Sequence, residues 1–480
     1  MFTEVNGEDE NMQDMQTIDV RDKYSGEVIG GVPSVAVESV PNIIKKVYDA
    51  FANLNRLPSY KRAEILAETS SLINIRQDDF AKLIAREGGK PLKYSRKEAK
   101  RAALTMQFSS EEAKRLHGET IPFDAEPRGQ DRTGYWYRVP AGVVAAITPF
   151  NDPLNLVAHK LGPAIAAGNT VVLKPASLTP LSALKLVETL QEAGLSEDCI
   201  QVITGDGETL GPAIVSDPHV RVVTFTGGIE AGKKIVKLAG LKKIAMELGS
   251  NCPVIVMDDA PLSLAETCIL DAGYNCQGQN CIHAQRVLIH ELLYEQLVES
   301  LVHDTEKLRV GNPLDEATDI GPMIAEREAL RVEEWVNEAL HKGAELLTGG
   351  ERKKNLYMPT ILANVPREAT IATEEIFGPV MIVSRFRKIE DAILESNNTT
   401  YGLHAGIFTK SIDNAMKAVS ELNFGSVLIN DTSDFRVDFM PFGGMKSSGL
   451  GREGIRFAIE ETMTEIKTVI FKKVTETHQH

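Results

Sequence analysis

The chain has 480 residues, a formal net charge of −15, and 43% hydrophobic and 25% charged residues. That length exceeds one ordinary domain and the composition is that of a soluble globular protein, so two or more folded units are expected. The acidic balance argues against nucleic acid as a main partner, and an anionic ligand would need a local cluster of donors.

Residues 1–16 are polar and acidic, with no basic and then apolar run of a secretory signal, and are expected to be a frayed extension. Ile43, Ile44, Val47, Tyr48, Phe51 and Leu54 recur at helical spacing over residues 42–57, and helical patterns continue to about Leu116. Residues 134–140 are aromatic and β-branched, as in a strand. From Gly142 the pattern alternates. Strands are predicted at 143–148, 170–174, 200–204, 221–226 and 243–247, with helices at 154–167, 180–193, 209–216 and 230–239 between them. After Pro253 come strands at 254–257, 285–290, 380–386 and 425–430 and helices at 262–274, 293–310 and 328–342. Such β-α alternation predicts parallel strands with covering helices. Residues 464–471 alternate like an exposed strand, which needs a partner that a neighbouring subunit could supply. No apolar run is long enough to span a membrane.

The five cysteines, Cys199, Cys252, Cys268, Cys276 and Cys281, are an odd and sparse set that fits a reducing compartment, and a cytoplasmic location is the default. None has zinc-ligand spacing, so no metal is expected. Cys281 stands apart because glycine and small polar residues precede it, in Gln277-Gly278-Gln279-Asn280-Cys281. Two more polar residues sit in apolar company: Glu247 in Met246-Glu247-Leu248-Gly249 and Asn151 in Pro149-Phe150-Asn151. A thiol, a carboxylate and an amide are the parts needed to oxidise an aldehyde through a covalent thioester.

Over roughly residues 22–472 the chain resembles the aldehyde dehydrogenase superfamily. The resemblance rests on Pro149-Phe150-Asn151, Leu173-Lys174-Pro175-Ala176-Ser177, Phe225-Thr226-Gly227-Gly228, Glu247-Leu248-Gly249, Gly278-Gln279-Asn280-Cys281, Glu375-Ile376-Phe377-Gly378-Pro379 and Pro441-Phe442-Gly443-Gly444, in the family's order. It implies an α/β fold with a parallel-sheet dinucleotide-binding domain (1–121 and 141–248), an α/β catalytic domain (249–462) and a small β oligomerisation element (122–140 and 463–480). A homodimer or homotetramer is implied, with the hairpin near 122–140 pairing with the tail strand across subunits. Cys281 would be the nucleophile, Asn151 and the Cys281 N–H the oxyanion donors, and Glu247 the base that activates water. Glu247 favours release of a free acid over transfer to coenzyme A.

By the same resemblance, Thr148, Pro149, Phe150, Lys174, Ser177, Gly207, Gly211, Phe225, Thr226, Gly227, Gly228, Leu248, Glu375 and Phe377 would bind the dinucleotide. Glycine at 228 replaces the family's usual serine. A carboxylate at position 177 would repel a 2′-phosphate; the neutral Ser177 beside Lys174 lets NADP be used, alongside NAD. The substrate pocket would draw on Gln107, Asn155, His159, Asn280, Ile282, His283, Asp431, Thr432, Ser433, Phe435 and Arg436. That polar set, with His159 and Arg436 as anion-binding candidates, is similar to the lactaldehyde, glyceraldehyde and phosphonoacetaldehyde branch. Arg436 could instead pair with Asp434 or Asp438, and His159 and His283 could be buried structural histidines. A semialdehyde or aromatic aldehyde substrate, and a non-catalytic binding protein on the same fold, remain as alternatives.

Overall fold

The computed structural model describes residues 17–473; the expected extension at 1–16 and the last residues, 474–480, lie outside the described residues. Five parallel strands form the first sheet, in the order Lys243–Glu247, Val220–Thr226, Val143–Ile147, Thr170–Lys174, Ile200–Val202. Gly449–Leu450 adds antiparallel at its edge, with Gly449 opposite Glu247. The first strand in sequence, Val143–Ile147, is central, and the chain winds outward from it in both directions. The winding reverses between Val143–Ile147 and Val220–Thr226. Neither connection crosses the carboxyl ends of these two strands, so a crevice opens there.

Val143–Ile147 is buried along its whole length because helices cover both sheet faces. Its period-two alternation sends Val144 and Ala146 to one core with Leu161, Ile165 and Leu186. Val143, Ala145 and Ile147 face the other, with Ile44, Val47 and Ile214. Full burial of each larger aliphatic side chain contributes about 1.5–3 kcal/mol, so the strand is held from both sides. Helix Asn155–Ala167 runs back from the crevice and ends at Gly168, whose φ of +91° is the left-handed cap that glycine permits. It lies so close to helix Leu92–Ala113 that a Cβ at Gly162 would come within 2.3 Å of Ser109 Oγ.

The second sheet has seven strands, in the order Glu345–Thr348, Thr360–Ala363, Val380–Phe386, Arg286–His290, Pro253–Val256, His404–Phe408, Ser426–Ile429. All pairs are parallel except the first. The helix predicted at 293–310 is shorter, Tyr294–Glu306. Lys307 and Leu308 close tight turns onto Asp304 and Thr305, and Val310 bridges to Ile320, so the chain leaves the helix early.

The tail strand Thr464–Lys472 pairs antiparallel with Arg132–Pro140 of its own chain, in unbroken register from Thr464 opposite Pro140 to Lys472 opposite Arg132. The expected pairing of hairpin and tail across subunits is thereby corrected, because residues 458–463 bring the tail back beside Pro140 within one chain. Glu119–Thr120 completes this third sheet. Among the described residues, no helix is long and apolar enough to cross a membrane.

Candidate active site

Two cavities meet at Cys281. One, of about 340 Å³, fills the crevice of the first sheet and is lined by Thr148, Pro149, Phe150 and Asn151 after the central strand and by Thr226, Gly227 and Gly228 after its neighbour. Glu247, Leu248, Glu375 and Phe377 complete its wall. The other, of about 330 Å³, opens between helix Leu92–Ala113 and the segment 431–436. Asn151, Leu156, Cys281, Arg436 and Phe442 line both.

Cys281 lies in the turn between helix Leu262–Tyr274 and strand Arg286–His290. The approach is strained: Cys276 and Gln277 have φ of +52° and +58°, which side chains with a Cβ adopt only under constraint. Gln277 supplies the constraint by donating to the carbonyls of Gly89, at 2.5 Å, and Pro322, at 3.0 Å. The Asn151 amide and the Cys281 N–H have no hydrogen-bond partner among the described residues. They are therefore free to meet a negative oxygen. Burial pushes the Cys281 thiol well up, Glu375 adding to the effect and Arg436 opposing it, so the resting sulfur carries its proton.

Glu247 ends its strand 4% exposed, with Oε2 unpartnered. A Cβ at Gly443 would come within 3.0 Å of Oε1, so that glycine leaves room for the carboxylate. Burial and the nearby Glu453 push Glu247 well above the usual carboxylate range, against Arg436 and Lys160. Glu453 is itself held low by Lys160, at 3.1 Å, and Arg436, at 2.9 Å.

The crevice suits a dinucleotide. The hydroxyls of Thr148 and Thr226 are buried there without partners. Nothing lies within 4 Å of a Cβ built on Gly228, which begins helix Ile229–Ala239 without a side-chain cap and so leaves its first N–H groups open to a pyrophosphate. Phe150 and Phe377 meet edge to face at 5.7 Å, and Phe377 holds a φ of +45°. Glu375 accepts from Ser250 N at 2.8 Å and is pushed up to about 8 by burial.

Other expected cofactor residues lie off this cavity. Phe225 is a core side chain beneath Gly227. Lys174 Nζ reaches the Pro175 carbonyl at 3.4 Å and borders Gly207. Ser177 donates to the Gly205 carbonyl at 2.5 Å, so its hydroxyl hydrogen is already engaged. Helix Gly207–Ser216, which contains Gly211, is capped by Asp206 accepting from Thr209 N.

The substrate side is corrected more heavily. Asn280, Ile282, Asp431, Thr432, Phe435 and Arg436 line the polar cavity. Asn155 does not; it is buried between Thr105 and Asp438. His159 is also buried, hydrogen-bonded to Asp438 at 2.9 Å, and burial with Arg436 pushes its pKa down against Asp438 and Glu453. His283 bonds the Gly273 carbonyl, Ser433 donates to the Ile282 carbonyl, and Gln107 reaches along its helix to Glu111. Arg436 pairs with Glu453 rather than Asp434 or Asp438 and stacks 3.8 Å from the centre of the Phe442 ring. Its Nε is buried and unpartnered. Unanticipated wall residues are Tyr94, Lys97, Glu98 and Arg101, with Lys90, Asp152, Asp271 and Asp434 around them. The first four fall at helical spacing on one helix face, a charged stripe that the sequence displays.

Residues 10–469 match the aldehyde dehydrogenase family. The chain belongs to the aldehyde dehydrogenase family. Similar members include a 3-sulfolactaldehyde dehydrogenase of Priestia aryabhattai, 45% identical over 97% of each chain. An aspartate-semialdehyde dehydrogenase 1 of Pseudomonas canavaninivorans is 48% identical over 94% of this chain and 96% of its own. The solved glyceraldehyde-3-phosphate dehydrogenase GapN of Methanocaldococcus jannaschii, complexed with NADP, superposes with a TM-score of 0.92 at 40% identity, covering 96% of this chain and all of that one. An aldehyde dehydrogenase needs its nucleophile where cofactor and substrate can both reach it, and Cys281 borders both cavities.

Proposed function

We propose that this chain oxidises a short, polar, anion-bearing aldehyde to the free carboxylic acid, using NADP or NAD. The observation that carries this is Cys281 at the junction of a polar cavity and a dinucleotide-shaped crevice, with Glu247 buried beside it. Cys281 Sγ adds to the aldehyde carbon as its proton passes to solvent, and the carbonyl electron pair moves to oxygen, where Asn151 and the Cys281 N–H stabilise it. A dinucleotide held in the crevice would supply the acceptor for the hydride that leaves that carbon as the oxygen pair re-forms the carbonyl, which is then that of a thioester. Water then attacks the thioester, Glu247 takes a proton from it, the acyl–sulfur bond breaks, and acid and thiol are released.

Ser177 puts no negative charge where a 2′-phosphate would lie, and Lys174 puts a cation nearby, which supports NADP as well as NAD. The relatives named above act on 3-sulfolactaldehyde, aspartate semialdehyde and glyceraldehyde 3-phosphate by name, short aldehydes that each carry an anion. Arg436, with its free Nε, is the residue assigned to that anion. The domain limits set out from the sequence are retained as assignments, and a homo-oligomer built on the third sheet completes the proposal.

The test follows reduced-cofactor absorbance with both cofactors over lactaldehyde, glyceraldehyde 3-phosphate, succinate semialdehyde and benzaldehyde. Turnover is expected with the short polar substrates, falling roughly 10³-fold or more in Cys281→Ser. Arg436→Ala should lower kcat/KM by about 10–100-fold for anion-bearing aldehydes, as for a lost charge-assisted hydrogen bond. It should lower lactaldehyde turnover less. An active Cys281→Ser enzyme, or benzaldehyde as the best substrate, would overturn the assignment.

A further inference from the structure

The polar cavity is not the basic site that an anion alone would select. Three of its four cations are neutralised within the protein. Lys90 pairs with Glu98 at 2.5 Å and also with Asp152. Arg101 pairs with Asp438 at 2.8 Å and Asp152 at 3.5 Å. Arg436 pairs with Glu453 at 2.9 Å. Among the described residues Lys97 makes no ion pair; its ammonium lies 5.1 Å from the centre of the Tyr94 ring. With the unpartnered, buried Nε of Arg436, it is what the cavity offers a carboxylate.

Against these donors stand three carboxyl groups with no basic partner among the described residues: Asp271, Asp431 and Asp434. Asp271 accepts from the Tyr94 hydroxyl at 2.9 Å. Asp431 accepts from the backbone of Thr432. Asp434 is the closest of the three to the chemistry. Its Oδ1 accepts from Asn280, the residue before the nucleophile, and its Oδ2 from Asn275 at 2.9 Å. A carboxylate has about four acceptor positions, so two amides leave room for another donor. A phosphate or sulfonate tail would meet three acidic side chains here, none of them paired to a cation among the described residues. A purely anionic substrate explains Arg436 and Lys97 but leaves the acidic wall without a counterpart.

We propose that the substrate is zwitterionic: an α-amino acid whose side chain ends in the aldehyde, with its ammonium on Asp434 and its carboxylate on the Lys97 and Arg436 side. This substrate class presupposes the aldehyde-oxidising site proposed above. Burial holds the Asp434 carboxyl up at about 7, with Asp271 and Asp152 adding to the effect and Asn275 and Arg101 opposing it. An ammonium arriving there supplies the positive partner that the protein does not.

Two substrates isolate the ammonium. Aspartate semialdehyde and succinate semialdehyde share chain length, aldehyde and carboxylate and differ only in the amino group. The wild-type enzyme should favour the amino compound by about tenfold or more in kcat/KM, mainly through KM, the scale of one charge-assisted contact. Asp434→Asn should bring the ratio of the two kcat/KM values close to one. A wild-type enzyme that uses succinate semialdehyde equally well or better overturns the ammonium assignment, whether or not the variant folds. So does a variant that keeps the wild-type ratio. In either case the oxidation of anion-bearing aldehydes stands. If no aldehyde yields reduced cofactor, the parent reading falls with it.

Discussion

The protonation of Glu247 depends on Glu453, a second carboxylate in the wall of the same crevice. Glu453 sits between Lys160 and Arg436, and its negative charge helps hold Glu247 above the usual carboxylate range. A general base works deprotonated, so the hydrolytic step should fail as pH falls through the raised pKa of Glu247. Glu453→Gln removes one negative neighbour and frees two cations to act on Glu247. The acid limb of the kcat profile should then move to lower pH; a limb that stays in place or moves upward would refute the coupling. Glu453 carries no motif that announced this role, because its partners Lys160 and Arg436 are 293 and 17 residues away in sequence. Cys281, Glu247 and Asn151 stand out in the sequence because each interrupts its local pattern, and all three line the crevice of the first sheet. His159 and Asn155 interrupt theirs equally, yet they serve Asp438 and Thr105 inside the protein. Local pattern reveals that a polar side chain is unusual, while only the packing reveals which way it faces.

At the scale of elements, the N-terminal helices do more than cover the first sheet. Glu87, at the end of helix Gln77–Gly88, accepts from Leu181 N and Ser182 N, both at 2.8 Å, and so caps helix Leu181–Glu192. Glu98, in the next helix, accepts from Leu154 N at 2.9 Å and Asn155 N at 3.2 Å at the start of helix Asn155–Ala167. Neither capped helix has a side-chain cap of its own. Removing a buried acceptor leaves orphan donors, at a cost of about 1–3 kcal/mol. Glu87→Ala should therefore destabilise the protein by that amount in denaturant unfolding, with kcat/KM nearly unchanged since Glu87 lines neither active-site cavity. A loss below 0.5 kcal/mol, roughly the level of an ordinary surface change, would show that these contacts are incidental. The strands Thr170–Lys174 and Lys243–Glu247 match their predicted limits because the short apolar runs 171–173 and 244–246 are each bounded by a polar residue on both sides. The strand His404–Phe408, one in from the edge of the second sheet, went unforeseen: its five residues include a histidine and a glycine, and it is buried through pairing with Pro253–Val256 and Ser426–Ile429 rather than by its own composition. The caps by Glu87 and Glu98 were equally hidden, since each joins elements dozens of residues apart.

The whole molecule presents one feature that a monomer does not explain. The tail strand already has its partner within the chain, so an adjoining subunit is not needed to complete the third sheet. Yet this strand forms the edge of that sheet, and Ile466 and Ile470 on one face and Phe471 on the other are more than half exposed, at 59%, 55% and 57%. Tyr135 and Phe471 lie 6.4 Å apart on the same sheet. A nine-residue edge strand with apolar residues in water is an invitation to association unless something covers it. Subunit association should therefore use the faces and free edge of this sheet, not the ladder between hairpin and tail. Light scattering after size-exclusion chromatography is expected to give the mass of a dimer or tetramer for the wild-type chain. Ile466→Glu combined with Ile470→Glu should shift it toward the 52.6 kDa monomer, because burying two unpaired carboxylates in an apolar contact costs more than the contact gains. A wild-type chain that is monomeric at micromolar concentration, or a double variant with the assembly intact, would rule this surface out as the subunit interface.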